Sequence, residues 1–297
     1  MSTAIDQALP LEVRRKSLTE RLAWLTGRGA IHVVLILVTI LWLLPTLGLA
    51  ITSIRPRDDV LSTGWWTWFG NPRITFDNYR AVLEGAGIGQ SLLNSLYITI
   101  PATILPVTLA SLAAYGFAWL KFPYRDALFL IIVGMMVVPI QIALVPTLQL
   151  FSSLGLTGSY LGIWLAHTAF GLPFAIFLLR NFFVQLPPDL IEAAQMDGAS
   201  RLGIFRRIIV PLSVPAIASL VVFQFLGVWN DLLMALIFVQ DPSQRPLTVQ
   251  ITSLLGTYAS EFSLLSAASF ILMLVPLIVF LALQRYFVRG ITAGAVK

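Results

Sequence analysis

The chain has 297 residues, of which 58% are hydrophobic and 11% charged, and its mean hydropathy is +0.87. This apolar share is too high for a soluble globular domain and indicates an integral membrane protein. The net charge is +5, but outside the segments that flank the membrane no basic face with interleaved aromatic residues is present, so we expect no nucleic acid as a partner. The sequence contains no cysteine, which excludes disulfides, thiol catalysis and thiolate metal sites.

Six uncharged runs are long enough to cross a bilayer, whose apolar core of roughly 30 Å needs about 20 residues of helix. Backbone groups in lipid must be satisfied within the segment, and the runs lack the alternation of barrel strands, so we predict helices. The predicted fold is an all-α integral membrane protein with six transmembrane helices at about residues 31–54, 91–119, 127–150, 158–179, 208–238 and 263–284.

The first 30 residues are polar, and within them residues 13–24 are compatible with a short amphipathic helix on the inner membrane surface. A topology signal without further function explains the same segment. The first apolar run is long enough to span, which predicts a retained helix rather than a cleavable signal peptide. We therefore divide the chain into an N-terminal cytoplasmic segment (1–30), a transmembrane domain (31–290) and a cytoplasmic tail (291–297).

Lysine and arginine predict the orientation, because short cytoplasmic segments carry an excess of both. With the amino terminus inside, most of the 19 basic residues fall in the predicted inner segments. The exceptions are Arg55, Arg57, Arg73, Arg80 and Arg245. We therefore expect both termini in the cytoplasm of a bacterial inner-membrane protein.

Residues 55–90 form the largest predicted outer segment and contain three tryptophans, Trp65, Trp66 and Trp68. Their faces could pack on a carbohydrate, but an aromatic belt at the lipid interface explains the same cluster and is the preferred interpretation.

The sequence contains no Gly-Lys-Ser/Thr phosphate loop, so we expect the chain to bind no ATP itself. Residues 85–90 are glycine-rich but lack the spacing and the preceding strand of a nucleotide-binding turn. With two histidines far apart and no paired intramembrane acids, we expect neither an enzyme nor a metal site.

Prolines recur in or near the apolar runs, where each removes a backbone hydrogen bond and favours a kink. Kinked helices suit a pathway that rocks open, but membrane helices also tolerate proline for packing reasons alone. The positions are Pro45, Pro101, Pro106, Pro139, Pro146, Pro173 and Pro276.

A polar stretch between the fourth and fifth runs, about residues 184–207, predicts a short cytoplasmic helix. Asp189 and Glu192 have the spacing of a capping box, and Gly198 offers a stop. Small residues such as Ala193 and Ala194 allow another backbone to approach closely. An ordinary surface loop lying on the membrane is the alternative.

The stretch resembles the "EAA" loop of the membrane subunits of bacterial ABC importers. The resemblance is carried by Glu192, Ala193, Ala194, Asp197, Gly198, Ile208 and Pro211, with Val210 where leucine is more usual. Across residues 70–297 the chain resembles the smaller of the two membrane subunits of maltose-type carbohydrate importers, through "TFDNY" (75–79), Asn94 with Ser95, "AAYGFA" (113–118), "KFPYR" (121–125), "VVPIQ" (137–141), "GLPFAIFLLRNFF" (171–183), "LPPDLIEAAQMDGAS" (186–200) and "WNDLLMALI" (229–237).

The resemblance implies a permease that forms half of a sugar translocation path and whose short helix docks on a cytoplasmic ATPase, anchored by Glu192 and Gly198. The implied partners are a homologous second permease subunit, two copies of the ATPase carrying ATP and Mg, and an extracytoplasmic sugar-binding protein. It leaves the sugar unidentified.

Polar groups within or beside the runs are candidates for the substrate path, because lipid exposure disfavours them. They are Asn94, Gln141, His167, Gln224, Trp229, Asn230 and Asp231. Asp231 could instead cap a helix at the outer surface, and His167 could pack against a neighbouring helix. A proton-coupled secondary transporter or channel using Asp231 and His167 as a relay is the alternative function.

Overall fold

A computed structural model describes the backbone of residues 18–85, 87–257 and 261–295, and the side chains of residues 29–85, 87–254 and 261–285. The described backbone is helical and contains no strand, which confirms the predicted fold class. Residues 1–17 and 296–297, which include parts of the predicted N-terminal segment and tail, lie outside the described residues. The chain divides into two compact units, residues 1–48 and 49–297.

The α-helices of the described residues, in chain order, are α1 (Leu18–Ser53), α2 (Arg57–Ser62), α3 (Asp77–Gly85), α4 (Ile88–Trp119), α5 (Arg125–Met135), α6 (Ile140–Ser153), α7 (Tyr160–Phe183), α8 (Pro188–Met196), α9 (Arg201–Ile204), α10 (Val210–Leu212), α11 (Val214–Trp229), α12 (Leu233–Phe238), α13 (Leu247–Thr257) and α14 (Phe262–Ala295). Short 3₁₀ segments occupy Trp65–Phe69 and Pro242–Gln244, and a π-helical turn occupies Phe205–Ile209.

Four helices in the described residues are each long and apolar enough to cross a membrane, namely Gly29–Ser53 within α1, α4, α7 and Phe262–Arg285 within α14. Two bent pairs, α5 with α6 and the Arg201–Leu212 segment with α11, raise the number to six if each pair is one span. In the first unit, α1 begins at Leu18 and continues without a break. The described part of the predicted amphipathic helix is therefore the start of α1 rather than a separate element.

Helices α4 and α7 run parallel to each other and form the centre of the second unit. At one end the Tyr160 hydroxyl donates to Asn94 Oδ1 over 3.0 Å, and at the other Trp119 Nε1 donates to the Phe183 carbonyl over 3.1 Å. Small buried residues such as Ala102 let the two backbones approach closely. We call the two ends of this bundle the Asn94 end and the Trp119 end.

The predicted third span, 127–150, is wrong as a continuous helix, because α5 and α6 meet at an angle of 102°. Pro139 removes a backbone donor and disfavours helical geometry at Val138, so the helix breaks there. The pair leads from the Trp119 end to Tyr160 at the Asn94 end, and thus joins opposite ends of the bundle.

The predicted fifth span, 208–238, is also corrected. The segment Arg201–Leu212 meets α11 at 77°, because Pro211 and Pro215 remove backbone donors on both sides of Ser213. Helix α11 then ends at Trp229, about nine residues before the predicted end, and Leu233–Phe238 forms the separate helix α12.

Candidate functional site

Helix α8, in the predicted coupling loop, begins at Pro188 with Pro187 at the N-cap. The predicted capping box of Asp189 and Glu192 is wrong, because no side chain caps this terminus. Proline suits the first helical position, where its missing N–H would have no partner in the helix. Asp189 lies in the first turn, where its charge complements the helix dipole.

The carboxyl end of α8 has the stop predicted at Gly198. Gly198 has φ of +77°, and its N–H donates to the Gln195 carbonyl over 3.0 Å. The N–H of Ala199 donates to the Ala194 carbonyl, also over 3.0 Å. These paired bonds form a Schellman motif, which fixes the direction in which the chain leaves the helix.

Helix α8 is anchored by one face and exposes the other. Ile191 is buried in the core at the Trp119 end, and Ala194 packs against the same core. Glu192 and Ala193 are exposed, as are Asp197 and Gly198 at the end of the helix. Sequence reasoning missed Met196, whose side chain is 84% exposed. The sequence did contain a signal for this: five residues along a helix place Met196 on a different face from the buried Ile191.

Two side chains of α4 hold the ends of the coupling loop. Trp119 Nε1 donates to the carbonyl of Phe183, before the loop, over 3.1 Å. The Tyr115 hydroxyl donates to the carbonyl of Arg201, after α8, over 3.1 Å, and its ring lies 5.3 Å from that of Phe205. Both ends of the loop are therefore bonded to the carboxyl-terminal part of α4.

The remaining residues of the predicted coupling motif lie beyond this contact. Ile208 is half-buried, and Pro211 is exposed near the 77° bend. Ser200 begins the helical segment between them and α8, because its Oγ accepts from the Gly203 N–H over 3.1 Å. The motif residues thus share one end of the bundle, on two separate helical segments.

Asn94, a predicted path residue, is buried and uses its whole amide in internal bonds. Its Nδ2 donates to the carbonyls of Ser243 and Arg245 over 2.8 and 3.1 Å. Its Oδ1 accepts from Gln90 Nε2 and from the Tyr160 hydroxyl, each over 3.0 Å. The amide has no hydrogen-bonding capacity left for a solute, so its position is that of a structural junction.

His167 and Asp231 are brought together by the fold, with Nε2 and Oδ2 4.0 Å apart. This is too long for a direct hydrogen bond. Asp231 Oδ2 accepts from the Ala235 N–H over 3.1 Å and so caps the start of α12. Both residues border a space of about 10 Å³, which is room for about one water and none for a sugar.

Gln224 and Trp229 also make internal contacts. Gln224 Nε2 donates to the Ala102 carbonyl over 3.3 Å, and Trp229, which is 2% exposed, donates from Nε1 to the Leu272 carbonyl over 3.0 Å. Gln224 and Trp229 therefore link neighbouring helices through hydrogen bonds.

Gln141 and Asn230 are the exposed members of the predicted path set. Asn230 Nδ2 donates back to the Leu226 carbonyl at the end of α11 over 2.9 Å. Gln141 lies just after the α5–α6 break, whose residues, with the middle of α7, line an apolar cleft of about 480 Å³. Within the described residues, Gln141 is thus a polar side chain presented outward at mid-height of the bundle.

An aromatic cluster at the Asn94 end was not predicted. Tyr97 stands edge-on to Tyr160, with ring centroids 4.6 Å apart, and Trp164 lies 5.4 Å from Tyr97. The cluster borders a groove of about 560 Å³ along α4. The tryptophan-rich outer segment forms a 3₁₀ turn with Trp66 exposed, while Trp68 donates to the Arg73 carbonyl over 3.2 Å.

The described part of the chain contains no group of three or more histidine, cysteine, aspartate or glutamate side chains arranged to hold a metal ion. The site consists of a short helix with one exposed face and of hydrogen bonds that link neighbouring helices.

Comparisons with known proteins agree with this description. An osmoprotective compounds uptake permease protein of Synechocystis sp. is 53% identical, over 90% of this chain and 91% of the relative. An alpha-glucoside transport system permease protein of Rhizobium meliloti is 37% identical, over 90% and 97%. An arabinooligosaccharides transport system permease protein of Bacillus subtilis is 32% identical, over 91% and 96%.

The fold matches a chain in the crystal structure of a bacterial ABC transporter involved in the import of the acidic polysaccharide alginate. The TM-score is 0.74 at 22% identity, over 92% of this chain and 99% of that one. The family described as "Binding-protein-dependent transport system inner membrane component" matches residues 106–293. The chain belongs to this family and is a multi-pass membrane permease of an ABC transport system.

Proposed function

We propose that the chain is the membrane-spanning permease subunit of an ATP-driven sugar importer and forms half of its translocation path. The observation that carries the proposal is α8, a helix with one buried face, a fixed end at Gly198 and an exposed Glu192, connected to α4 by two hydrogen bonds. Membership of the family places this geometry in a transport system.

The proposed topology has six crossings with both termini in the cytoplasm. Each bent pair joins opposite ends of the bundle and therefore counts as one crossing in addition to the four long helices. Basic residues cluster at the Trp119 end, which supports placing α8 in the cytoplasm. They are Lys121, Arg125, Arg180, Arg201, Arg206 and Arg207.

The proposed partners are a homologous second permease subunit, two copies of a cytoplasmic ATPase and an extracytoplasmic sugar-binding protein. ATP and Mg bind the ATPase, and this chain contributes the surface on which the ATPase docks. Closure of the ATPase pair moves α8, and Tyr115 and Trp119 transfer that movement to α4. The bundle then alternates between inward and outward openings.

The proposed substrate is a neutral sugar. Gln141 is an exposed polar side chain at mid-height and suits hydroxyl groups rather than a charged solute. Alpha-glucosides and arabinooligosaccharides appear in the names of relatives at 37% and 32% identity, and osmoprotective compounds in that of a relative at 53%. An uptake panel should therefore contain glycosides of different length together with small compatible solutes.

The docking proposal is tested by replacing Glu192 with Ala in the intact transporter and measuring co-purification of the ATPase and sugar uptake. We expect both to fall. Glu84, an exposed glutamate of α3 toward the other end of the bundle, provides the matched control Glu84→Ala, which should leave both unchanged. Normal docking and uptake in Glu192→Ala would contradict the proposal.

A proton-coupled transporter is the second candidate, and the proximity of His167 and Asp231 is the observation that favours it. Uptake that stops when the proton gradient is collapsed, while cellular ATP stays high, would support this candidate. Uptake that follows ATP instead supports the permease.

A further inference from the structure

Prolines within helices leave backbone carbonyls without their usual donors, and three of these prolines lie in α4 and α14. In an α-helix the N–H of residue i donates to the carbonyl of residue i−4, and proline has no N–H. Pro101 and Pro106 in α4 therefore release the carbonyls of Tyr97 and Ala102, and Pro276 in α14 releases that of Leu272. In a bilayer core no water is present to replace the missing donors.

Each of these carbonyls receives a side-chain N–H from a neighbouring helix. Trp164 Nε1 of α7 donates to the Tyr97 carbonyl over 3.1 Å. The side chain of Gln224 in α11 donates to the Ala102 carbonyl over 3.3 Å, and Trp229 in α11 donates to the Leu272 carbonyl over 3.0 Å. The donors thus connect α4 with α7, α4 with α11, and α11 with α14, each at a carbonyl that a proline leaves without its backbone donor.

Packing fixes two of the donors. A Cβ at Gly171 of α7 would lie only 2.8 Å from Gln224 Nε2, so the glycine provides the room in which the amide sits. Trp229 is 2% exposed and stacks on Phe225, with ring centroids 5.7 Å apart. Neither side chain can swing away without disturbing its surroundings.

Other prolines lack this arrangement. Pro146 of α6 and Pro173 of α7 release the carbonyls of Ile142 and Ala169, and within the described residues no side chain donates to either. Pro173 lines the cleft at the α5–α6 break. The side-chain links are therefore concentrated among α4, α7, α11 and α14.

We propose that Trp164, Gln224 and Trp229 are positioning residues for coupled transport, each replacing the backbone donor that a proline removes from a neighbouring helix. The proline-containing segments of α4 and α14 are thereby held against α7 and α11, so that these four helices move as one body. Helices α5 and α6, whose bend has no such link, move relative to that body. The claim that these residues act in coupled transport rests on the proposed function.

The decisive experiment is a double-mutant cycle in the full transporter, which removes the Gln224 amide and restores the missing backbone donor. Gln224→Leu removes the side-chain N–H, and Pro106→Ala returns a backbone N–H able to reach the Ala102 carbonyl. Thermal unfolding of the purified complex and sugar imported per ATP hydrolysed are measured for each variant. Pro101→Ala is the matched control, because it restores a donor to Tyr97 instead.

One interhelical hydrogen bond in a membrane typically changes an equilibrium constant by about threefold. We therefore expect Gln224→Leu to lower the sugar imported per ATP by about threefold at most. Adding Pro106→Ala should recover most of the loss in both readouts, whereas adding Pro101→Ala should recover none. Additive effects of Gln224→Leu and Pro106→Ala, or equal recovery by Pro101→Ala, would overturn the proposal. Thermal unfolding and ATPase co-purification are measured independently of sugar uptake. Failure of the proposed function would change co-purification or uptake but not the unfolding cycle, so it can be distinguished from failure of this inference.

Discussion

The sharpest test of the coupling geometry is the replacement of Gly198 at the end of α8. Its φ of +77° lies in the left-handed region, and a Cβ there would meet no atom within 4 Å. The cost of Gly198→Ala is therefore the backbone conformation alone, about 1–2 kcal/mol. A cost of that size lowers the ratio of folded to frayed helix end about 5–30-fold.

If the ATPase binds only the folded end, its apparent Kd rises by up to the same factor of about 5–30. Titrating purified ATPase against the permease in lipid nanodiscs measures this change directly. Gly198→Asn should have a smaller effect, because asparagine tolerates the left-handed conformation better than alanine does.

Gly155 provides the matched control for this substitution. It has φ of +68° with no atom within 4 Å of a built Cβ, and it lies between α6 and α7, away from the coupling loop. Gly155→Ala should therefore cost similar stability and leave ATPase affinity unchanged. An unaltered Kd in Gly198→Ala, or an equal loss in Gly155→Ala, would refute the reasoning.

Three further predictions concern the links within the bundle. Tyr115→Phe removes the bond to the Arg201 carbonyl, worth about 1 kcal/mol, so uptake per ATP hydrolysed should fall while the ATPase still co-purifies; unchanged coupling in a transport assay with proteoliposomes would contradict this. Asn94→Leu strands several buried partners and should destabilise the protein by about 1–3 kcal/mol or more in thermal unfolding, with the KM for sugar unchanged; a KM effect without loss of stability would speak for solute contact instead. Asp231→Asn keeps an acceptor for the Ala235 N–H, so uptake should persist, and its abolition would favour a proton relay.

The crossing segments were predictable because lipid imposes a strong condition on them: about 20 apolar residues and internally satisfied backbone groups. The breaks at Pro139 and Ser213 were not, although proline was visible in the sequence at both. A proline bends a helix only as far as its neighbours allow, and the angles of 102° and 77° depend on contacts with other helices.

The candidate residues of the substrate path also show which features the sequence can predict and which depend on contacts in the folded protein. Asn94 was selected because a polar group within an apolar run needs a partner, and Trp229 because its ring offers a sugar an aromatic face beside Asp231. The sequence could not tell whether the partner was a sugar or the protein itself. In the structure both donate to backbone carbonyls of distant residues, Asn94 to Ser243 and Trp229 to Leu272.

Under the proposed function, these contacts make α4 the helix that connects the coupling loop with the opposite end of the bundle. Its Trp119 end is bonded to the coupling loop through Tyr115, and its other end is bonded through Asn94 to the segment before α13. Between the two ends, Pro101 and Pro106 each remove a backbone hydrogen bond and so weaken the helix locally unless the released carbonyls find other donors. Trp164 and Gln224 donate to those carbonyls, so under the proposed function we expect a displacement of α8 to reach the opposite end of the bundle through α4.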